Sequence, residues 1–158
     1  MMPGRWLLIL TVCAGVAMPA MGQAPIPADR EQLLSGASTS ESNPAERCGY
    51  PSPETVLAKK DELGLTRDKL RRIEAVVAAQ QAAVKVKGEE IVEAEEQLAK
   101  LFEAGTLNEK VLRSRLEQIG KLRADLRFAH VQVYLKMKQI LSPNEWARCK
   151  ELKAGEGK

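Results

Sequence analysis

The chain has 158 residues, a formal net charge of +3, and few aromatic side chains, which make up 4% of the composition. Such a small net charge argues against nucleic acid as the partner. Its richness in Ala, Glu, Lys, Leu and Arg is typical of long packed helices, and no stretch alternates like a strand.

The first 22 residues are predicted to be a cleaved signal peptide. Arg5 gives a basic start, an apolar run over residues 6–17 follows, and Ala20 and Gly22 place small residues at −3 and −1 of the cleavage site. The apolar run is too short for a comfortable membrane span, and a signal-anchor is the alternative interpretation. Cleavage predicts an exported, periplasmic chain with a net charge of +2.

Residues 23–52 are predicted to be a disordered arm. Pro, Ser, Gln and Glu dominate this stretch, and turn-forming residues cluster between Ser35 and Pro44. Residues 53–154 remain for one small all-helical domain, and residues 155–158 form a short tail.

Two similar hexapeptides each predict the start of a helix. Residues 65–70 (LTRDKL) return 76 residues later as residues 141–146 (LSPNEW). In each copy a hydroxyl side chain at the N-cap can accept from a backbone N–H of the first turn, and apolar residues at N′ and N4 can form a hydrophobic staple. The second copy also has the glutamate that completes a capping box. The capping residues are Leu65, Thr66, Leu70, Leu141, Ser142, Glu145 and Trp146.

Between these starts, apolar residues at steps of three and four predict two long helices. Gly105 suits the C′ position of the first helix, and Asn108 suits the N-cap of the second. Each helix buries its stripe against the other in an antiparallel hairpin. A short helix at each end, residues 53–63 and 143–153, completes an all-α fold. The expected register places Leu101 near Leu112, Leu98 near Leu116, Ile91 near Arg123, Val84 near His130, and Ile73 near Ile140.

The middle of the predicted seam is polar. Burying unpaired cations there would cost several kcal/mol per ion. In one interpretation the cations extend outward and apolar neighbours fill the seam. In the other, the middle is a shallow, polar-edged groove that holds another chain, a second copy of this protein included. The polar positions are Gln80, Lys87, Arg123 and His130, and the filling neighbours are Ala83, Leu122 and Ala129.

Positive charge is concentrated at the open end of the hairpin. Residues 67–87 carry a net charge of +4, and residues 124–141 carry +2. This surface is either a solvated face or an attractive one for anionic or unfolded partners.

Cys48 and Cys149 are the two cysteines that remain after signal cleavage. In an oxidising compartment such a pair most often forms a disulfide, and both fall at the open end of the hairpin. An intramolecular bridge would close a loop of about 100 residues and stabilise the fold by roughly 4–5 kcal/mol. A bridge to a second copy, and free or metal-bound thiols, are the alternatives.

The sequence contains no recognisable catalytic constellation. It has no nucleophile–base pair at a known spacing, no phosphate-binding loop and no metalloprotease helix, so we expect neither an enzyme nor a cofactor. His130 is the only histidine. A divalent transition-metal site would therefore need carboxylates and a second copy, and a hydrogen-bonded seam position is the simpler role for His130.

The two hexapeptides resemble the paired motifs of the LTXXQ-motif family of bacterial periplasmic proteins, which includes Spy, CpxP and heavy-metal-responsive members. The matching segments are residues 65–69 and 141–145, and residues 129–143 are similar to the last long helix of Spy. The resemblance covers residues 55–153. Lys69 and Glu145 replace the Gln of the motif, and the second copy has Ser in place of Thr, changes that preserve helix capping.

This resemblance implies a thin, curved, all-helical protomer that dimerises into a cradle. It implies an envelope-stress chaperone that binds unfolded or partner proteins without ATP. The alternatives are a heavy-metal sensor or metal-binding resistance protein, although the chain lacks abundant His and Met, and a regulatory subunit that docks on a membrane sensor protein. By seam position, the residues expected on the client surface are Gln80, Val84, Lys87, Arg123, Leu126, Arg127, His130 and Val133.

Overall fold

A computed structural model describes residues 29–35 and 44–155. These ranges hold six α-helices and no strand, and α4 and α5 pack together along their length as the predicted hairpin. The all-α hairpin is therefore confirmed. The helices are α1 (Arg30–Ser35), α2 (Pro44–Arg47), α3 (Pro53–Ala58), α4 (Arg67–Glu103), α5 (Glu109–Ile140) and α6 (Pro143–Gly155).

Side-chain caps begin α4 and α6. Thr66 Oγ1 accepts from the Lys69 N–H at 3.4 Å at the start of α4. At the start of α6, Ser142 Oγ accepts from the Glu145 N–H at 3.3 Å, and the Glu145 carboxylate accepts from the Ser142 N–H at 2.7 Å. This reciprocal pair is a capping box. Leu65, Leu141 and Trp146 pack in or against one cluster behind these caps, and Leu70 is half-buried.

The turn between α4 and α5 has the geometry expected for its sequence. Gly105 has a φ of +60°, and the Thr106 N–H donates to the Leu101 carbonyl at 3.4 Å, which makes a Schellman ending for α4. Asn108 Oδ1 then accepts from the Val111 N–H at 3.0 Å and caps α5. The turn therefore satisfies backbone groups on both sides and directs α5 back along α4.

Three apolar clusters follow one another along the hairpin. The end cluster joins α3 and α6 to the open end, the middle cluster lies halfway, and the turn cluster lies next to the turn. The end cluster holds Val56, Leu63, Ile73, Met137, Ile140, Leu141 and Cys149; the middle cluster holds Leu33, Val84, Ile91, Val92, Leu126 and Ala129; the turn cluster holds Ala94, Leu98 and Ile119.

The expected register needs one correction near the turn. Ile73 and Ile140 share the end cluster, but Leu116 is 51% exposed and Leu98 instead shares its cluster with Ile119. Leu122 packs against the clusters of the seam. Leu116 lies on the exposed side of α5.

Part of the expected disordered arm over residues 23–52 is described, namely residues 29–35 and 44–52. Residues 29–35 lie against α4, with Leu33 only 2% exposed. Composition did not predict this contact because one buried leucine and a few ion pairs hold the whole segment. Residues 23–28 and 36–43 lie outside the described residues.

The segment from α2 to α3 is anchored to α5 and α6 by aromatic side chains. Tyr134 Oη donates to Glu46 Oε1 at 2.5 Å, and the Tyr50 ring meets the Trp146 ring edge-on at 5.2 Å. The predicted helix over residues 53–63 is shorter in the structure. It ends at Ala58 and continues as turns.

No helix in the described part of the chain is both long and apolar enough to cross a membrane. The predicted signal peptide, residues 1–22, lies outside that part, as do residues 156–158 of the predicted tail.

Candidate functional site

The seam site is the middle of the groove between α4 and α5, where the middle cluster lies. Val84 and Leu126 are buried at its floor, with Ala129 beside them and Leu122 packed against the cluster. Lys87 and Arg123 remain partly exposed at its edges. The cations therefore extend outward while apolar neighbours fill the seam, which avoids the cost of burying unpaired charge.

The seam site is covered by α1. The Leu33 side chain packs into the middle cluster, and the Leu33 backbone lies directly on Gly88 of α4. A Cβ placed on Gly88 would come within 1.9 Å of the Leu33 carbonyl oxygen. Any other residue at this position would therefore exclude α1 from its observed place. The groove expected for another chain is occupied by a segment of this one.

Arg123 of α5 pairs with Asp29, directly before α1, and with Glu95 of α4. Its guanidinium donates to Asp29 Oδ2 at 2.6 Å through Nη1 and to Glu95 Oε1 at 2.9 Å through Nη2. The hydrogen bond from Arg123 holds the pKa of Asp29 below its usual value, and the same bond raises the pKa of Arg123. Arg30 of α1 pairs with Glu96 of α4. These ion pairs are partly exposed, so each adds less than about 1 kcal/mol.

The other predicted polar positions are half-buried or exposed. Lys87 Nζ lies 2.7 Å from Glu90 Oε2 on its own helix, and that hydrogen bond raises the pKa of Lys87. His130 is half-buried, and its burial lowers the pKa of the imidazole. Gln80 is half-buried and Arg127 is exposed.

The predicted client surface is thus divided between floor and edge. Val84, Leu126 and Val133 are buried within the hairpin. Arg123, at the edge, pairs with Asp29 directly before α1. A free client therefore cannot reach the floor of the seam site unless α1 leaves it.

Sequence reasoning missed Asp29, Leu33 and Gly88. Gly88 did carry a usable signal, because a lone glycine inside a long helical pattern costs about 1 kcal/mol relative to alanine and often marks a close approach. Asp29 and Leu33 fell within a stretch whose overall composition predicted disorder, so their helical spacing carried little weight.

Cys48 and Cys149 are unbonded in the structure, and the disulfide between them stays a prediction. Cys149 is fully buried in the end cluster, and burial raises the pKa of its thiol. Cys48 is exposed in a shallow apolar depression that Val131 and Leu135 of α5 also line. The thiols therefore have different surroundings, because one side chain enters the end cluster and the other lies against the outside of α5.

A second apolar surface lies on the outside of α5. Phe128 and Leu135 are exposed, and their seven-residue spacing puts them on one face of the helix. Val131 lies between them on that face and is half-buried. This outer stripe continues into the depression that contains Cys48.

Within residues 29–35 and 44–155, no group of three or more His, Cys, Asp or Glu side chains is arranged to hold a metal ion. No protein-family model matches the chain, and no curated protein or solved structure matches it significantly. The geometry of the seam site is therefore the basis for a functional proposal.

Proposed function

We propose that this chain is a periplasmic envelope-stress protein of the Spy/CpxP type that binds unfolded or partner proteins without ATP or a cofactor. The observation that carries the proposal is the docking of α1 in the seam site. There the hairpin already holds a short amphipathic segment through one buried leucine, a glycine-permitted backbone contact and ion pairs at the edges.

The strength of such a site suits binding and release without an energy source. Burying one leucine contributes about 1.5–3 kcal/mol, and each partly exposed ion pair adds less than about 1 kcal/mol. Segments held this weakly exchange readily. Edge charges also attract a partner before it docks.

The outer stripe offers a second apolar surface for the same function. Phe128, Val131 and Leu135 follow one another along α5, and Arg127 and Lys138 are exposed nearby in sequence. Apolar side chains interleaved with positive charge fit unfolded chains or acidic partner surfaces. The dimeric cradle and the periplasmic location belong to the proposal, and the paired motifs and the predicted signal peptide support them.

The direct test is suppression of aggregation by the chain that begins at Gln23. It is titrated into an aggregating client with chelator present, and the titration is repeated with zinc, nickel or copper. We expect suppression that does not depend on metal. The absence of suppression, together with metal binding that His130→Ala abolishes, would refute the proposal in favour of a heavy-metal sensor.

A charge-reversal pair locates the activity within the hairpin. Lys87→Glu with Arg123→Glu should weaken suppression, because both cations lie at the edges of the seam site. The matched control is Lys110→Glu with Lys121→Glu, which makes the same charge change at exposed positions of α5. Equal activity of the two folded variants would remove the edge cations from the proposal.

A further inference from the structure

We propose that the seam site recognises one class of partner: a short helix with an Asp four residues before a Leu and a basic residue directly after the Asp. In this chain Asp29 together with α1 is the resident example of that helix, so a partner must displace it. The inference deepens the proposed function, and rests on it for the role of partner proteins.

The spacing between Asp29, directly before α1, and Leu33, within α1, explains the first requirement. Asp29 and Leu33 are four residues apart, and the Leu33 N–H donates to the Asp29 carbonyl at 2.9 Å, so both lie on one face of a helical turn. From that face the carboxylate reaches Arg123 on α5, while the leucine enters the middle cluster. One helical turn thus contacts both long helices.

The edges of the seam site explain the second requirement. The Arg123 cation pairs with Asp29, the first residue of the docked turn. The Glu96 carboxylate pairs with the next residue, Arg30. Glu95 Oε1 accepts from Arg123 Nη2 at 2.9 Å and so fixes where the cation lies. A partner with these two charges reversed meets like charge at both edges, which is destabilising.

Gly88 allows the backbone of the docked helix to lie close to α4. The carbonyl of Leu33 lies where a Cβ would otherwise be, so the docked helix approaches α4 at backbone distance. A partner therefore needs no large side chain at that point, and its leucine can reach the floor.

The tether gives α1 an advantage that a partner must overcome. A segment tethered in the same chain competes at an effective concentration on the order of millimolar. We therefore expect free peptides to bind weakly to the unmodified chain and more tightly once α1 is undocked.

The experiment uses a fluorescein-labelled peptide with the sequence of residues 27–37 and follows its anisotropy. The host is the chain from Gln23 carrying Leu33→Asp, which removes the leucine from the seam site. We expect this host to bind the peptide at least about tenfold more tightly than the unmodified chain. Leu34→Asp is the matched control, because Leu34 is 39% exposed and its replacement leaves α1 docked.

Peptide variants test the recognition rule. The same peptide with Asp29→Lys and Arg30→Glu keeps its leucine and its net charge but reverses the order of the two charges. We expect it to bind the Leu33→Asp host at least about tenfold more weakly than the natural peptide. Equal binding of both peptides would overturn the charge requirement.

A glycine pair tests whether binding occurs at the seam site. Added to the Leu33→Asp host, Gly88→Ala should abolish peptide binding. Gly120→Ala should preserve it, because nothing lies within 4 Å of a Cβ at Gly120. Peptide binding that survives Gly88→Ala would overturn the inference.

Far-UV circular dichroism establishes that each host is folded. If Leu33→Asp fails to fold, Asp29→Ala is the second host, since it frees Arg123 and leaves every apolar residue in place. Equal peptide binding by the unmodified chain and the folded host would overturn the role of α1.

The aggregation assay distinguishes this inference from the proposed function. A chain that suppresses aggregation but fails the peptide tests retains the function and loses the recognition rule. If the peptide tests succeed without any suppression of aggregation, the recognition rule stands and the chaperone function is refuted.

Discussion

Lys69 and Glu145 stand at the same position of the two repeated hexapeptides, and they form an ion pair with each other. Lys69 Nζ lies 2.8 Å from Oε1 and 2.6 Å from Oε2 of Glu145. The same carboxylate accepts from the Ser142 N–H. Glu145 therefore caps α6 and ties it to the first turn of α4, so the two motifs close the open end of the hairpin together.

The two motif positions should be energetically coupled. The Lys69 and Glu145 side chains are 24% and 16% exposed, and charge-assisted bonds of this kind contribute about 1–2 kcal/mol. We expect Lys69→Gln and Glu145→Gln each to lower the free energy of unfolding by about that amount. The double variant should lose less than the sum of the two. Urea denaturation measures the cycle, and strictly additive losses would contradict coupling.

The contribution of Glu145 should depend on pH. Burial works to raise the pKa of its carboxyl, but the hydrogen bonds from Lys69 and Ser142 outweigh it and lower the pKa below the usual 4.5. Because the folded state binds this proton less readily than the unfolded state, the stabilisation is complete above pH 4.5 and is lost as pH falls through the folded value. Unfolding free energies of the unmodified chain and Glu145→Gln should therefore converge in acid. A constant difference down to about pH 3 would contradict this assignment.

The helical hairpin follows from sequence because its signals are local and repeated. Thr66, Gly105 and Asn108 each satisfy backbone groups at a helix end, and the apolar stripes set the pairing of α4 with α5. The position of α1 depends on a different kind of interaction. It is fixed by Gly88 and Arg123, which lie far from Asp29 and Leu33 in sequence, and neither periodicity nor composition encodes such a contact.

The seam site could be predicted in part from the sequence. The polar positions in the middle of the predicted stripe mark the part of the hairpin against which α1 lies. They did not indicate which side of α5 would turn inward, because Leu122 and Arg123 are adjacent and both fit a stripe of steps of three and four. The cost of burying a cation favours Leu122, and Arg123 is then free to pair with Asp29.

His130 should make the hairpin less stable in mild acid. Burial lowers its pKa below the usual 6.5, so the unfolded chain takes up the proton first. Stability is then greatest above pH 6.5 and decreases as pH falls from there to the folded value. We expect His130→Gln to remove this decrease when urea unfolding is compared between about pH 7.5 and pH 5. Parallel pH curves for the two proteins would contradict the prediction.

The two cysteines should react at different rates. The thiolate is the reactive form of cysteine. Cys149 is buried, and this burial raises the pKa of its thiol, whereas Cys48 is exposed. In the reduced chain from Gln23, we expect one thiol to react rapidly with a disulfide reagent and the second only after denaturation. Cys48→Ser should abolish the rapid phase, and Cys149→Ser should preserve it.

The same measurement without reductant tests the disulfide that the sequence predicts. Bridging Cys48 to Cys149 requires the Cys48 side chain to leave the depression beside Leu135 and reach the end cluster. Two titratable thiols after denaturation of the air-exposed chain would agree with the unbonded cysteines of the structure. No thiol in a monomeric chain would establish the intramolecular bridge, and one thiol per chain in a covalent dimer would place a single bridge between two copies. Because Cys48 is the exposed thiol, a bridge between copies should join Cys48 to Cys48, and Cys48→Ser should abolish it while Cys149→Ser leaves it intact.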